Sequence, residues 1–137
     1  MSASRSASTC SSALSRNELF ATPGLHLDIP IVLEPDEDVF LALPGVAAKF
    51  PNVLIVTASR VLLAKVAGPF KRATVRRKAP ASSVRGVSYR PALFTRVHIQ
   101  VQGKRDIKML PHSSEDAERF TREMEELLRT GRRPSSS

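Results

Sequence analysis

The chain has 137 residues, with 42% apolar and 25% charged residues and a formal net charge of +8. That length suits one domain around one core, and the apolar fraction is near the globular norm. The one cysteine, Cys10, excludes an internal disulfide, and no run of about 18 apolar residues exists to form a membrane-spanning helix. No compact apolar stretch of a signal peptide stands at the N-terminus.

The charge is unevenly spread. Residues 1–45 carry two basic and six acidic groups, residues 46–112 carry fourteen basic groups and one acid, Asp106, and residues 113–137 carry five basic and six acidic groups. A central region with that balance attracts anionic partners: a membrane surface, nucleic acid or an acidic protein.

Taken in chain order, residues 1–17 are mostly Ser, Ala, Thr and Arg. They offer little apolar surface against the entropy of ordering, so a disordered tail is expected. Residues 18–37 form an N-terminal extension. Asn17-Glu18-Leu19-Phe20 could open a short helix, and the alternation of Leu25, Leu27 and Ile29 could make a strand that Pro30 limits. Glu34-Pro35-Asp36-Glu37-Asp38 reads as an acidic surface turn.

From Val39 the pattern is a train of short strands. The expected strands are Val39–Leu43, ended by Pro44-Gly45, then Val53–Thr57 and Arg60–Val66 around an Ala58-Ser59 turn. After a Gly68-Pro69 loop come Thr74–Lys78, a Pro80–Ser83 loop and Val84–Arg90 with Gly86 as a candidate bulge. Thr95–Gln102 alternates cleanly: Val97, Ile99 and Val101 face one way, and Arg96, His98, Gln100 and Gln102 the other. Gly103 turns the chain into Lys104–Leu110, with Ile107 and Met109 inward.

The period then changes to that of a helix. Ser113 with Asp116 makes a capping pair, Ala117, Phe120, Met124, Leu127 and Leu128 form an apolar stripe, and Gly131 is the C-terminal cap. Glu115–Arg119, Glu118–Arg122 and Glu125–Arg129 are expected as i,i+4 pairs on the wet side. Residues 131–137 are expected to be a second disordered tail. The fold class is therefore mainly β (α+β): a seven-stranded, partly open barrel or two orthogonal antiparallel sheets, with one C-terminal amphipathic helix over the open end.

This order resembles the bacterial pleckstrin-homology-like (PH-like) domain family. The run Val53-Leu54-Ile55-Val56-Thr57-Ala58-Ser59-Arg60-Val61-Leu62-Leu63 is similar to that family's hairpin of apolar run, Thr-x-x-Arg and apolar run. Phe70-Lys71-Arg72 matches its basic loop, Ser83-Val84-Arg85-Gly86-Val87 its next short strand, and Asp116-Ala117-Glu118-Arg119-Phe120 its helix opening. The resemblance covers residues 36–129, and the domain is placed at 38–130. The family often has Asp before the hairpin Arg, where this chain has Ala58-Ser59. Only Lys49 precedes Arg60 in the first hairpin, so the resemblance does not extend to inositol-phosphate recognition.

No catalytic pattern stands out. His26, His98 and His112 have no metal-ligand spacing, Cys10 has no partner, and Asp106 is alone among the strands; His98 reads as a surface residue. No enzyme activity, cofactor or metal is expected. In an up-and-down meander the first, third and fifth connections share one end, which gathers Lys49-Phe50, Phe70-Lys71-Arg72 and Phe94 with Arg90 and Arg96. With Arg76 these make the candidate binding patch. The same phenylalanines could equally seal the barrel mouth, with the cations only solubilising. The expected function is docking of a protein partner, as the resemblance implies. Peripheral binding to anionic phospholipid through the basic Phe-containing loops is the alternative. Non-specific nucleic-acid binding ranks third, because the strand faces lack interleaved aromatics other than Tyr89. The expected setting is the cytoplasm or the face of a membrane.

Overall fold

The computed structural model describes residues 5–17, 32–45, 52–65, 74–90, 96–111 and 113–131. The elements are α1 (Arg5–Leu14), β1 (Val39–Gly45), β2 (Asn52–Thr57), β3 (Arg60–Lys65), β4 (Thr74–Pro80), β5 (Val84–Arg90), β6 (Arg96–Val101), β7 (Ile107–Met109) and α2 (Ser114–Thr130). A short 3₁₀ turn, Ala81–Ser83, joins β4 to β5. The strands form two antiparallel sheets in sequence order, β1-β2-β3-β4 and β5-β6-β7. The protein is thus mainly β, α+β, with one C-terminal helix.

Among the described residues the sheets do not close into a barrel. The ladders run within each sheet, and a single bridge, Gly45 to Pro111, links the end of β1 to the chain beyond β7. The 3₁₀ turn explains the break between β4 and β5: three residues in a tight turn carry the chain from one sheet to the other instead of extending a shared ladder.

One core lies between the sheets. Leu41, Leu43, Leu54, Val56, Val61 and Leu63 of the first sheet meet Val87, Val97, Ile99, Val101, Ile107 and Met109 of the second. Helix α2 lays Ala117, Phe120 and Met124 on the same cluster, as its apolar stripe requires. Its N-cap is Ser113, whose hydroxyl accepts from the Asp116 N–H at 3.3 Å, and Gly131 ends it in the left-handed conformation with φ 69°. Leu128 lies outside the stripe's contact area, 38% exposed.

Arg119 does not take the expected partner, Glu115. It reaches Asp116 at 3.5 Å and Glu123 at 3.8 Å, and donates to the Arg16 carbonyl and to Asn17 Oδ1. Tertiary acceptors on the N-terminal segment outcompete a solvated pair of a few tenths of a kcal/mol.

Several strands are longer or shorter than expected. β1 continues through Pro44 and Gly45, which pair with Val53 and Asn52. Proline is tolerated there because β1 is an edge strand. The bulge expected at Gly86 is present: the register shifts between Val84 and Gly86. β7 is only three residues, with Ile107 and Met109 buried as expected.

The main correction is at the N-terminus. Residues 5–14, expected to be disordered, form α1, which packs on β1 and buries Cys10, Ala13 and Leu14. They cover a second core on the outer face of the first sheet, made by Val39, Ala42, Val53, Ile55, Leu62, Ala64 and Leu33. A ten-residue Ser/Thr-rich helix is marginal alone, losing roughly 0.5 kcal/mol per residue against alanine. Burying Leu14 returns about 1.5–3 kcal/mol, and α1 also covers the large apolar side chains of the sheet, so packing decides the outcome.

Polar contacts fix α1 in place. The Thr9 hydroxyl accepts from the Val39 N–H at 2.9 Å, and Ser6 N–H donates to the Pro35 carbonyl at 3.1 Å. Asn17, 2% exposed, donates to the Ala42 carbonyl at 2.8 Å and accepts from Arg119 at 2.9 Å. Arg16 pairs with Glu123 of α2. The Cys10 thiol is fully buried, and burial pushes its pKa up to about 12. Cys10 should therefore resist alkylation in the native state. Asn17→Ala, which leaves a buried carbonyl without its donor, should cost about 1–3 kcal/mol and raise the alkylation rate. Unchanged labelling would show that Asn17 does not hold α1.

Glu37, expected in an exposed acidic turn, is instead buried at 9% exposure. Arg60 grips it with both prongs, Nε to Oε2 at 2.8 Å and Nη2 to Oε1 at 2.9 Å. Arg60 also donates to the Val32 carbonyl at 3.1 Å, and the Thr57 hydroxyl donates to Glu37 Oε2 at 2.9 Å. That hydroxyl accepts from the Ser59 and Arg60 N–H groups at 3.2 and 3.1 Å. The Thr-x-x-Arg spacing is thus a turn in which Thr57 closes the hairpin and Arg60 anchors the preceding segment. Burial pushes the Glu37 carboxyl up, but Arg60, the Glu34 N–H and Thr57 together hold it below its ordinary 4.5. Because the folded value lies below the unfolded one, this stabilisation is complete above pH 4.5 and is lost as pH falls through the folded value. Glu37→Gln should cost about 3 kcal/mol at neutral pH in denaturant titration and flatten the acid limb of the stability profile. Equal acid sensitivity in wild type and variant would contradict this role.

Candidate functional site

The candidate patch divides between described and undescribed residues. Lys49, Phe50, Phe70, Lys71, Arg72 and Phe94 lie outside the described residues, as do His26, His112, the possible strand at 25–29 and the 132–137 tail. Arg76, Arg90 and Arg96 are described, and all are exposed. Arg90 and Arg96 sit directly opposite each other across β5 and β6. Arg76 belongs to the other sheet, at a bulge on its edge strand β4, where the register shifts so that Leu63 faces Arg77 and Ala64 faces Val75. Arg77 turns away to donate to the Arg105 carbonyl at 2.8 Å.

The strand ends flanking the three basic connections do gather. Gly45, Asn52, Lys65 and Thr74 form one register row at a single end of the first sheet. Arg96, at the start of β6, lines one cavity with Asn52, so this end of the second sheet meets the same end of the first.

What sequence reading missed is the neighbour set on the wet face of the second sheet. Strand alternation sends Arg85, Ser88 and Arg90 of β5, Arg96, His98 and Gln100 of β6, and Lys108 of β7 outward. The register places Ser88, His98 and Lys108 in one row beside the Arg90–Arg96 pair. Like charges directly opposite each other are destabilising in a sheet, so this face carries an electrostatic cost. Asp106, 3.8 Å from His98 Nδ1, is the acid beside it. Alternation along β6 was legible, but the pairing that brings Lys108 beside His98 depends on the turn between β6 and β7.

His98 reports the local field. Its side chain is 12% exposed. Burial lowers its pKa below the ordinary 6.5, Arg90, Lys108 and Arg96 lower it further, and Asp106 offsets part of this. Burial first, and the neighbouring cations after it, disfavour its protonated form.

A second feature is apolar. A cavity of about 320 Å³ lies between the β2–β3 turn, the 3₁₀ turn and the C-terminal end of α2, lined by Phe40, Val56, Val61, Val84, Met124 and Leu127. It is at the opposite end of β5 from Arg90, since Val84 begins that strand.

Among the described residues, no group of three or more His, Cys, Asp or Glu side chains could hold a metal ion, and no helix is long and apolar enough to cross a membrane. Comparison with protein-family models, curated proteins and solved structures found no match.

His98 protonates less readily in the folded protein than in the unfolded chain. Stability should therefore fall as pH drops from above 6.5 through the folded value and level off below it. His98→Gln should remove that segment of the profile while leaving the Glu37-dependent acid limb. A wild-type His98 pKa at or above 6.5 by NMR titration would refute the field described.

Proposed function

We propose that the chain is a non-enzymatic PH-like binding module that docks an acidic protein partner. The order of four strands, three strands and a C-terminal helix supports the PH-like reading. The observation that carries the docking reading is the outward face of the second sheet, where Arg85, Arg90, Arg96 and Lys108 are exposed around a charge-suppressed His98. A solvated sheet face bearing opposed like charges is stabilised by whatever neutralises it, so an acidic segment gains affinity from relieving the repulsion. Tyr89 is half-buried against the core and does not offer a stacking surface on this face, which disfavours single-stranded nucleic acid. The setting in this reading is the cytoplasm.

A second reading, peripheral attachment to anionic phospholipid, is favoured by a different observation. The strand ends that flank Lys49-Phe50, Phe70-Lys71-Arg72 and Phe94 share one end of the molecule. Apolar side chains beside cations on adjoining connections suit a headgroup boundary.

Titration with a polyglutamate peptide, followed by NMR, tests the first reading. Binding should raise the His98 pKa and weaken with salt, and the Arg90→Glu/Arg96→Glu variant should bind about tenfold less tightly. Peptide that leaves His98 unmoved would overturn it. Flotation with vesicles rich in anionic lipid, lost in Phe70→Ala/Lys71→Glu/Arg72→Glu but retained in Arg90→Glu/Arg96→Glu, would select the second.

A further inference from the structure

β4 ends the first sheet, and its outer edge is open. Thr74, Val75, Arg76, Lys78 and Pro80 are all exposed. Val75, at 37%, is one of two exposed large apolar side chains among the described residues. Among those residues the β4 backbone hydrogen-bonds only within its ladder with β3. The N–H and C=O groups that alternate outward along β4 are therefore a template for one more strand.

The register decides what such a strand meets. Val75 stands opposite Ala64 and Lys78 opposite Leu62, and both neighbours belong to the face that α1 covers. Arg77 stands opposite Leu63, on the face toward the second sheet. Val75 and Lys78 share a face although three residues apart, because the bulge at Arg76 adds one residue to the strand. The edge thus presents one apolar position followed by three consecutive cations, with no acid in the strand.

Cations and bulges on an edge strand discourage pairing, and here they do so selectively. Two copies of β4 paired antiparallel about Arg77 would set one Arg76-Arg77-Lys78 run against the other, and like charges opposed across a ladder are destabilising. A second copy is therefore rejected, whereas an acidic strand meets the same cations as favourable cross-strand pairs. The edge is also continuous with the cationic face. Arg77 crosses to the second sheet and donates to the Arg105 carbonyl at 2.8 Å and the Asp106 carbonyl at 3.4 Å. That contact holds the β6–β7 turn, with its exposed Lys104 and Arg105, beside β4.

We propose that the acidic partner docks by adding an extended segment as a new antiparallel edge strand on β4, with acids opposite Arg76, Arg77 and Lys78 and an apolar residue opposite Val75. Backbone pairing selects an extended chain, the cations select acids, and Val75 sets the register. The inference rests on the docking reading and adds to it the strand that is paired and the conformation of the partner.

The test is NMR titration of the full chain with a capped peptide, Thr-Glu-Glu-Glu-Val-Thr, written to run antiparallel from Ala79 to Thr74. The β4 amides should shift, and those facing outward should exchange more slowly with solvent. Arg76→Glu/Lys78→Glu, at two exposed positions, should weaken binding about tenfold. The same peptide N-methylated at alternate residues keeps its charge but loses the donors of one edge. Of the two such isomers, one should bind about tenfold more weakly. Equal binding by both isomers and the parent peptide, or unshifted β4 amides, would overturn strand addition. So would β4 amide shifts that depend on the concentration of the free protein, the sign of self-pairing. If polyglutamate raises the His98 pKa while the peptide leaves β4 unshifted, strand addition alone is wrong; if both fail, the docking reading falls with it.

Discussion

The two central strands of the first sheet, β2 and β3, are apolar on both faces, and the rest of the structure answers to that constraint. Val53, Leu54, Ile55 and Val56 are all buried, as are Val61, Leu62, Leu63 and Ala64 on the neighbouring strand. In a pleated strand, successive side chains leave opposite faces, so no single partner layer can cover such a run. The second sheet and α2 take Leu54, Val56, Val61 and Leu63, and α1 takes the alternate set with Val53, Ile55, Leu62 and Ala64. The fold is therefore layered outward from one hairpin.

The polar contacts follow from the same layering. A segment of low intrinsic helicity can serve as a cover only if its ends are fixed, and each end of α1 is tied to a different part of the molecule. Arg5 meets Asp38 at 3.1 Å and Thr9 accepts from Val39, beside the start of β1. At the other end Asn17 and Arg16 engage the Ala42 carbonyl, Arg119 and Glu123. The charged residues of α2 are thus partly committed inward, to a neighbouring helix, and the side chain that sequence spacing assigned to a local pair instead joins the two ends of the chain. The Glu37–Arg60 pair does comparable work at the hairpin, where a bidentate contact fixes the segment that leads into β1.

Much of this was legible in the sequence, and the parts that were not share a cause. The seven strands, the bulge at Gly86, the inward Ile107 and Met109, and both caps of α2 follow from local rules of period, turn and capping. The apolar runs on β2 and β3 held an unread signal of a second cover, since continuous rather than alternating hydrophobicity marks a strand buried on both faces. Composition masked the cover itself: Ser, Thr and Ala are small enough to lie flat on a sheet, yet they score as disorder when judged without the surface they meet. Glu37 was misread for a related reason. An acid in a charged cluster looks solvated until a long-range partner, here 23 residues away, is known. Of the candidate patch, the Arg90–Arg96 pairing followed from a hairpin, whereas Arg76 falls on the other sheet because the chain crosses between sheets at Ala81–Ser83.

The distribution of charge adds the last constraint. Three described acids at the first sheet's entrance and on α2 have partners that hold the covers in place: Glu37 with Arg60, Asp38 with Arg5, and Glu123 with Arg16. The outward face of the second sheet is different. Arg90 and Arg96 face each other across the ladder, Asp106 is the described acid beside His98, and burial together with the cations depresses His98. Arg85, hydrogen-bonded to Gln102, is held extended along that face. Screening by salt makes such a face tolerable, but repulsion between opposed side chains is not a contribution to folding. The geometry that concentrates these charges is fixed by the register of β5, β6 and β7.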